Sequence, residues 1–253
     1  MTAAPDLSPV TRIPRTGLPA RAVVVGDPAR AEAVAELLDD AKEVSYHREY
    51  RVFTGDWQGV SVVVASHGIG APGALLLFQE LADAGVTAFV RLGTAGAMRA
   101  GIRDGDLVIA DAAVRDDGVT QQLIPTAYPA VAAPEAVLAL QRAARSAGAP
   151  YHRGVVWTRA AFQPGFLPLP GDAYERAGVA AIEMELSALF VLASTRGLTA
   201  GGALVVDGAN ADELVDEEAT GGYDPHRDVV ADGVARAARI TLDALRLLAA
   251  EPR

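Results

Sequence analysis

Ala88-Phe89-Val90-Arg91-Leu92-Gly93-Thr94-Ala95-Gly96 is the stretch around which the rest of the chain falls into place. It predicts a short buried strand, Ala88 to Leu92, that runs into a glycine turn. An arginine in the middle of such an apolar run is costly unless it is paired. Gly93 and Gly96 allow a backbone to approach a ligand closely, and Thr94 adds a hydroxyl and an amide donor. A cation beside a glycine-hydroxyl turn suits an anion. A core-edge arginine paired with one of the many carboxylates, followed by an ordinary turn, accounts for the same residues, so the neighbouring segments must decide.

Composition narrows the field. The 253 residues suffice for one large α/β domain. No Pro/Gly/Ser-rich linker divides them, which gives an N-terminal extension over 1–20 and a single domain over 21–253. Half the chain is hydrophobic, yet no apolar run approaches the ~20 residues of a membrane span. Met1 to Ala20 is proline-rich and polar, without the apolar core of a secretory signal. With no cysteine there are no disulfides, thiolate metal sites or Cys nucleophiles, and a cytoplasmic location is expected. The net charge of −10 argues against nucleic-acid and anionic-membrane surfaces. Lys42 is the only lysine, so an anionic ligand would have to be gathered by arginines, whose planar fork grips phosphate in a bidentate way.

Upstream, Ala22-Val23-Val24-Val25 predicts a buried strand closed by Gly26-Asp27-Pro28-Ala29-Arg30. Asp27 is a good N-cap and Pro28 a good first helical residue, so a helix is expected to about Leu38. A strand, a glycine and a helix start make an anion-binding corner with Arg30 one turn inside it; a plain capped helix with a solvated arginine is the simpler account. Ser45 to Thr54 alternates as one strand carrying His47-Arg48-Glu49-Tyr50-Arg51, and Val60 to Ala65 predicts a further buried strand. Gly68-Ile69-Gly70-Ala71-Pro72-Gly73 is a formal G-x-G-x-x-G and raises the possibility of an NAD(P)-dependent oxidoreductase. Against it, the motif follows an internal strand, contains Pro72, and is followed by a strand with no ribose-binding acid at its end.

Downstream, a strand is expected from Leu107 to Arg115, a loop from Pro125, a helix from Pro134 to Ala147 and a strand over Val155 to Thr158. Phe162 to Pro168 has no regular period, as befits a pocket wall. Glu183-Met184-Glu185 stands between a strand and an apolar helix, Leu186 to Ala193. Acids there are ordinary helix-dipole partners, but Glu185 leads straight into a buried helix and needs a definite polar partner. Gly202 to Val206 predicts a strand ending in Asp207-Gly208, and Arg227 to Leu248 an amphipathic helix. Ligands of α/β proteins sit outside the carboxyl ends of strands, where Gly26, Arg91, Glu185 and Asp207 are all expected. Arginines holding an anion and carboxylates holding hydroxyls describe a phosphate beside a sugar. No metal-ligand spacing and no G-x-S-x-G appears.

From Val23 to Leu245 these motifs resemble the nucleoside phosphorylase family that includes uridine phosphorylases and hexameric purine nucleoside phosphorylases. The resemblance is carried by Gly26-Asp27-Pro28-x-Arg30, His47-Arg48-Glu49, Arg91-x-Gly93-Thr94-x-Gly96, Glu183-Met184-Glu185 and Val206-Asp207-Gly208. It implies a three-layer α/β/α sandwich around a mixed, partly closed sheet. It implies phosphate binding by Gly26, Arg30, Arg91 and Thr94, with Arg48 reaching a neighbouring subunit's phosphate in a hexameric trimer of dimers. Glu183, Met184 and Glu185 would serve the ribose, and Gly96, Phe162 and Phe166 the base. Asp207 would be the general acid for a purine leaving group, a role that requires a buried or negatively charged setting. No cofactor beyond inorganic phosphate as co-substrate, and no metal, is implied.

The chain also departs from the family. Phe166 and Pro168 stand where uridine phosphorylases carry Gln and Arg, which favours purine nucleosides over uridine. No His precedes His47 to serve the 5′-hydroxyl, and Gly73 replaces the Ser of the uridine phosphorylases' monovalent-cation site, whose Glu49 and Ile69 are kept. The acidic segment Asn210 to Asp224 reads as a mobile lid over the base or, equally, as a disordered surface loop. A nucleosidase and a non-catalytic nucleoside-binding protein are the other readings; Arg30, Arg48 and Arg91 favour phosphorolysis over hydrolysis, and Asp207 and Glu185 weigh against mere binding.

Overall fold

The computed structural model describes residues 6–163, 165–208 and 224–250. Its spine is β5 (Ala88–Ala97), which runs straight through Gly93, Thr94 and Gly96. The expected turn after Leu92 is therefore a strand. The reason is a long-range one: β10 (Thr199–Gly208) lies parallel to β5 and pairs with it from Ala88 to Gly96, so the ladder overrides the local glycine preference. Asp207 and Gly208 likewise belong to β10, which has a register shift between Val206 and Gly208.

On its other edge β5 pairs with β1 (Arg21–Val25), and the sheet continues through β4 (Val60–Ser66) and β3 (Tyr50–Trp57) to the edge strand β2 (Asp39–His47). The central strand β1 is apolar and buried from Ala22 to Val25 because both its faces are covered, whereas β2 is charged and mostly exposed as an edge should be. The single strand expected over Ser45 to Thr54 is instead this β2–β3 hairpin. His47 pairs with Tyr50, so Arg48 and Glu49 form the tip, with Arg48 at a φ of 58°. Alternation alone cannot reveal a two-residue loop without glycine, proline or asparagine.

From β10 the sheet proceeds through β6 (Leu107–Asp116) and β8 (Tyr151–Arg159) to β9 (Ala181–Glu183), which returns to pair with the end of β5. Those strands close on themselves, giving the mixed, partly closed sheet that the resemblance implies; β7 (Ala130–Val131) adds to β6 within the expected loop. Helices α1 (Pro28–Ala35), α2 (Ala71–Asp83), α3 (Pro134–Ser146), α4 (Gly171–Arg176), α5 (Leu186–Arg196) and α6 (Asp228–Ala250) complete the layers. α1 stops short of the expected Leu38.

Adjacent glycines of β10 show how tightly the layers meet. A Cβ on Gly201 would lie 3.0 Å from Ala136 of α3, and one on Gly202 would lie 2.7 Å from Leu186 of α5. Successive strand residues face opposite sides, so α3 and α5 press on opposite faces of the sheet. The segment before β1 is tied to α2 by Glu80, whose carboxylate accepts from the Val10 and Thr11 amides at 3.0 and 2.8 Å. Among the described residues no helix is long and apolar enough to cross a membrane. The acidic segment read as a lid lies outside the described residues, save Asp224.

Candidate active site

One edge of β5 changes partner in mid-strand: β1 pairs with it through Arg91, and β9 pairs with it from Gly96. Leu92 to Ala95 lie between the two partners, where a crevice opens at a topological switch point. Arg91, Glu183 and Glu185, three of the residues expected at a site, meet beside it. Arg91 is therefore placed by the end of β1, opposite Val24, rather than by the end of its own strand.

Arg91 is only 4% exposed and points to the α5 face. Its guanidinium lies over Gly93, where a Cβ would fall 2.0 Å from Nη1. Nη2 donates to Glu185 Oε2, and Nη1 stands 3.5 Å from Glu183 Oε2. The two acids at the start of α5 divide the roles left open by the sequence. Glu183 caps the helix: its carboxylate accepts from the amides of Glu185 (2.8 Å) and Leu186 (2.9 Å) and from the Thr158 hydroxyl. Burial pushes the Glu183 carboxyl above its usual range, opposed by the Arg91 charge. Glu185, 3% exposed, takes no part in capping; its other oxygen accepts from the Gly70 amide at 2.5 Å.

That last bond also disposes of the dinucleotide fingerprint. The Gly70 amide at the start of α2 is occupied by Glu185, and the Glu49 side chain fills the space over Gly68, 2.8 Å from where a Cβ would stand. The glycine run packs the chain against itself at the points where a pyrophosphate would need backbone.

Gly26 closes β1, and Asp27 caps α1 by accepting from the Ala29 amide at 2.8 Å, leaving Arg30 half-buried in the first turn. Thr94 and Met184 are half-buried, and Gly96 is buried in β5 beside β9. Asp207 is 3% exposed. Its backbone is pinned: the Asp207 carbonyl accepts from Arg227 Nη2 at 2.8 Å, and Arg227 Nη1 pairs with Asp104 at 2.5 Å. Arg48 is exposed at the hairpin tip. Phe162 is 44% exposed and Phe166 wholly so, and a cavity of about 440 Å³ lies along Phe166, Leu167 and Asp172. Among the described residues no group of His, Asp and Glu could hold a metal ion.

Three neighbours were not foreseen from the sequence. Thr158 supports Glu183, Arg227 holds the end of β10, and His67, directly after β4, is completely buried. Only the run of buried strand before His67 hinted at its setting, since an isolated histidine carries no local signal.

The sequence model of the Phosphorylase superfamily matches residues 20–246. A uridine phosphorylase of Thermococcus kodakarensis is 41% identical over 188 residues, 70% of this chain and 68% of that one. A guanosine phosphorylase of Halorubrum lacusprofundi is 34% identical, over 90% of this chain and 93% of that one. The crystal structure of a purine nucleoside phosphorylase from Toxoplasma gondii, in complex with immucillin-H, superposes with a TM-score of 0.90 at 32% identity, covering 98% of each chain.

Proposed function

The chain belongs to the phosphorylase superfamily, and from that premise we propose that it is a nucleoside phosphorylase, a pentosyltransferase that favours purine nucleosides. The observation that carries this reading is the buried pair Arg91 and Glu185 at the split edge of β5, with a further buried carboxylate, Asp207, at the end of β10 on the other edge of the same strand. Phosphate is held by Gly26, Arg30, Arg91 and Thr94. Glu185 and Met184 hold the ribose, with Glu183 fixing Glu185 by its backbone amide. One phosphate oxygen attacks C1′ as the bond from C1′ to the base nitrogen breaks, and the bonding pair leaves with the base. The sugar passes through a state of oxocarbenium character that the phosphate charge stabilises. Asp207 delivers a proton to N7 of the departing purine. The products are free base and pentose 1-phosphate.

Asp207 at the end of β10 supports the purine preference, as do Phe166 and Pro168 at the positions where uridine phosphorylases carry Gln and Arg. Relatives named uridine phosphorylases make uridine the second reading. Base release from inosine, guanosine, adenosine and uridine, each with and without phosphate, separates them. Phosphate-dependent release is expected, at least tenfold faster from a purine nucleoside than from uridine, a margin of about 1.4 kcal/mol. Faster cleavage of uridine would overturn the base preference, and release indifferent to phosphate would mean a hydrolase.

Arg48 projects from the hairpin tip, exposed, and Ile69 at the start of α2 is 83% exposed. Both suit a subunit interface in which Arg48 serves a neighbour's phosphate within a hexamer. Light scattering is expected to give a hexamer mass, and a monomeric, fully active protein would exclude shared sites.

A further inference from the structure

We propose that His67 is an anion-selecting residue of the phosphate site: its imidazole accepts a hydrogen bond from a protonated phosphate oxygen, so the site prefers a hydrogen-bearing oxyanion to a bare one. This rests on the reading of Gly26, Arg30 and Arg91 as the phosphate cradle.

The ladder places the ring. Val24 is in register with Arg91 across one edge of β1, and Val25 with Ser66 across the other. The His67 amide continues that second ladder by donating to the Val25 carbonyl at 2.8 Å, which brings His67 beside Gly26. A Cβ on Gly26 would lie 3.4 Å from the Gly68 carbonyl oxygen and 4.0 Å from Cε1 of the ring. Residues in register on parallel strands face the same side, so Arg91, level with Val24, and His67, level with Gly26 two residues on, stand on one face of the sheet with no side chain at Gly26. The charged groups that act on the ring are Glu185, Arg91 and Arg30, the same ones that line the crevice.

The hydrogen-bond chemistry fixes what the ring can offer. Nδ1 lies 2.8 Å from the Gly68 carbonyl, which only accepts, so Nδ1 carries the hydrogen. Nε2 is buried and has no hydrogen-bond partner among the described residues. Burial holds the ring pKa down at about 4, so Nε2 is a bare acceptor near neutral pH. The ring is fixed by an edge contact with Phe78 at 5.4 Å. Across Gly26, Arg91 Nε and Nη1 also lack hydrogen bonds. Donors on one flank and an acceptor on the other match an oxyanion with charged oxygens and one hydroxyl. Inorganic phosphate and arsenate have that form near neutral pH, and sulfate does not. With its hydroxyl hydrogen held by His67, the phosphate keeps ionised oxygens free to attack C1′.

Calorimetric titration of the full chain with inorganic phosphate, arsenate and sulfate tests the proposal. The wild type is expected to bind phosphate and arsenate about tenfold or more tighter than sulfate, the scale of one hydrogen bond to a charged group. His67→Phe, followed by its melting temperature, is expected to bring phosphate down to the sulfate level and leave sulfate unchanged. His67→Gln, which retains an acceptor, is expected to recover part of the selectivity. Equal binding of sulfate and phosphate by the wild type would overturn the proposal without recourse to any variant. So would His67→Phe that discriminates as strongly as the wild type. If base release by the wild type is phosphate-dependent and selectivity is nonetheless absent, only the His67 proposal falls. Base release without phosphate dependence removes the phosphate cradle itself and both readings with it.

Discussion

Replacing Asp207 by alanine is expected to slow phosphorolysis of inosine by about 10²- to 10⁴-fold at saturating phosphate, the range typical of a lost general acid. The residue is 3% exposed, at the end of a strand whose backbone is held from several sides. Val206 donates to the Asp106 carbonyl at 3.0 Å and accepts from the Gly105 amide at 2.8 Å, and Arg227 holds the Asp207 carbonyl. Truncating the side chain thus removes a carboxyl from a frame that other contacts keep in place, and the melting temperature should change little. A second substrate separates proton donation from binding. In 7-methylguanosine the base already carries a positive charge at N7 and leaves without a proton. Asp207→Ala should retain much of its turnover on 7-methylguanosine while losing inosine. Equal losses on the two substrates would assign Asp207 to binding or to structure, and near-normal turnover of inosine would remove it from the mechanism.

Segments whose partners are local were the legible ones. Asp27 and Pro28 announce the start of α1 by chemistry within one turn, and the unbroken apolar run of β1 announces a strand covered on both faces. What escaped depends on residues far along the chain. β5 continues past Gly93 because β10 pairs along it, more than a hundred positions later in the sequence. The β2–β3 turn at Arg48 and Glu49 contains none of the residues that usually mark one. Among the site residues, Arg91 and Glu185 stood out because a charge in an apolar run demands a partner, and each proves to be the other's. Asp207 stood out by its place at the end of a buried strand. Glu183 did not separate from Glu185 on the page of sequence, since an acid before a helix can cap it or pair elsewhere. The register of β9 against β8, which sets Thr158 beside Glu183, makes the division. His67 gave no signal because its meaning lies in a neighbouring glycine on another strand.

Arg91→Met should cost about 3–5 kcal/mol of unfolding free energy, the range for removing one partner of a buried ion pair. The arginine faces both Glu183 and Glu185 in a crevice where none of the three is more than 4% exposed. Without it, Glu183 still keeps the helix amides and Thr158, but Glu185 retains only the Gly70 amide. A negative charge is then buried without compensation. Burial already raises the Glu183 pKa, and losing the Arg91 charge that opposes this should raise it further. Protons taken up by the folded variant relieve the strain, so its deficit against the wild type should narrow as the pH falls. Phosphate dependence should disappear together with stability, and Gly93→Ala disentangles the two. Its Cβ would lie 2.0 Å from Arg91 Nη1 and 2.6 Å from Cζ, so the guanidinium must swing away while its charge stays in the molecule. That variant should unfold closer to the wild type yet lose roughly 10²-fold in kcat/KM for phosphate, as expected for a displaced binding group. If denaturant unfolding of Arg91→Met falls within about 1 kcal/mol of the wild type, the ion pair is not a net support of the fold, whose measured range is larger. If Gly93→Ala keeps its kcat/KM for phosphate, the placement of Arg91 over Gly93 has no bearing on the anion.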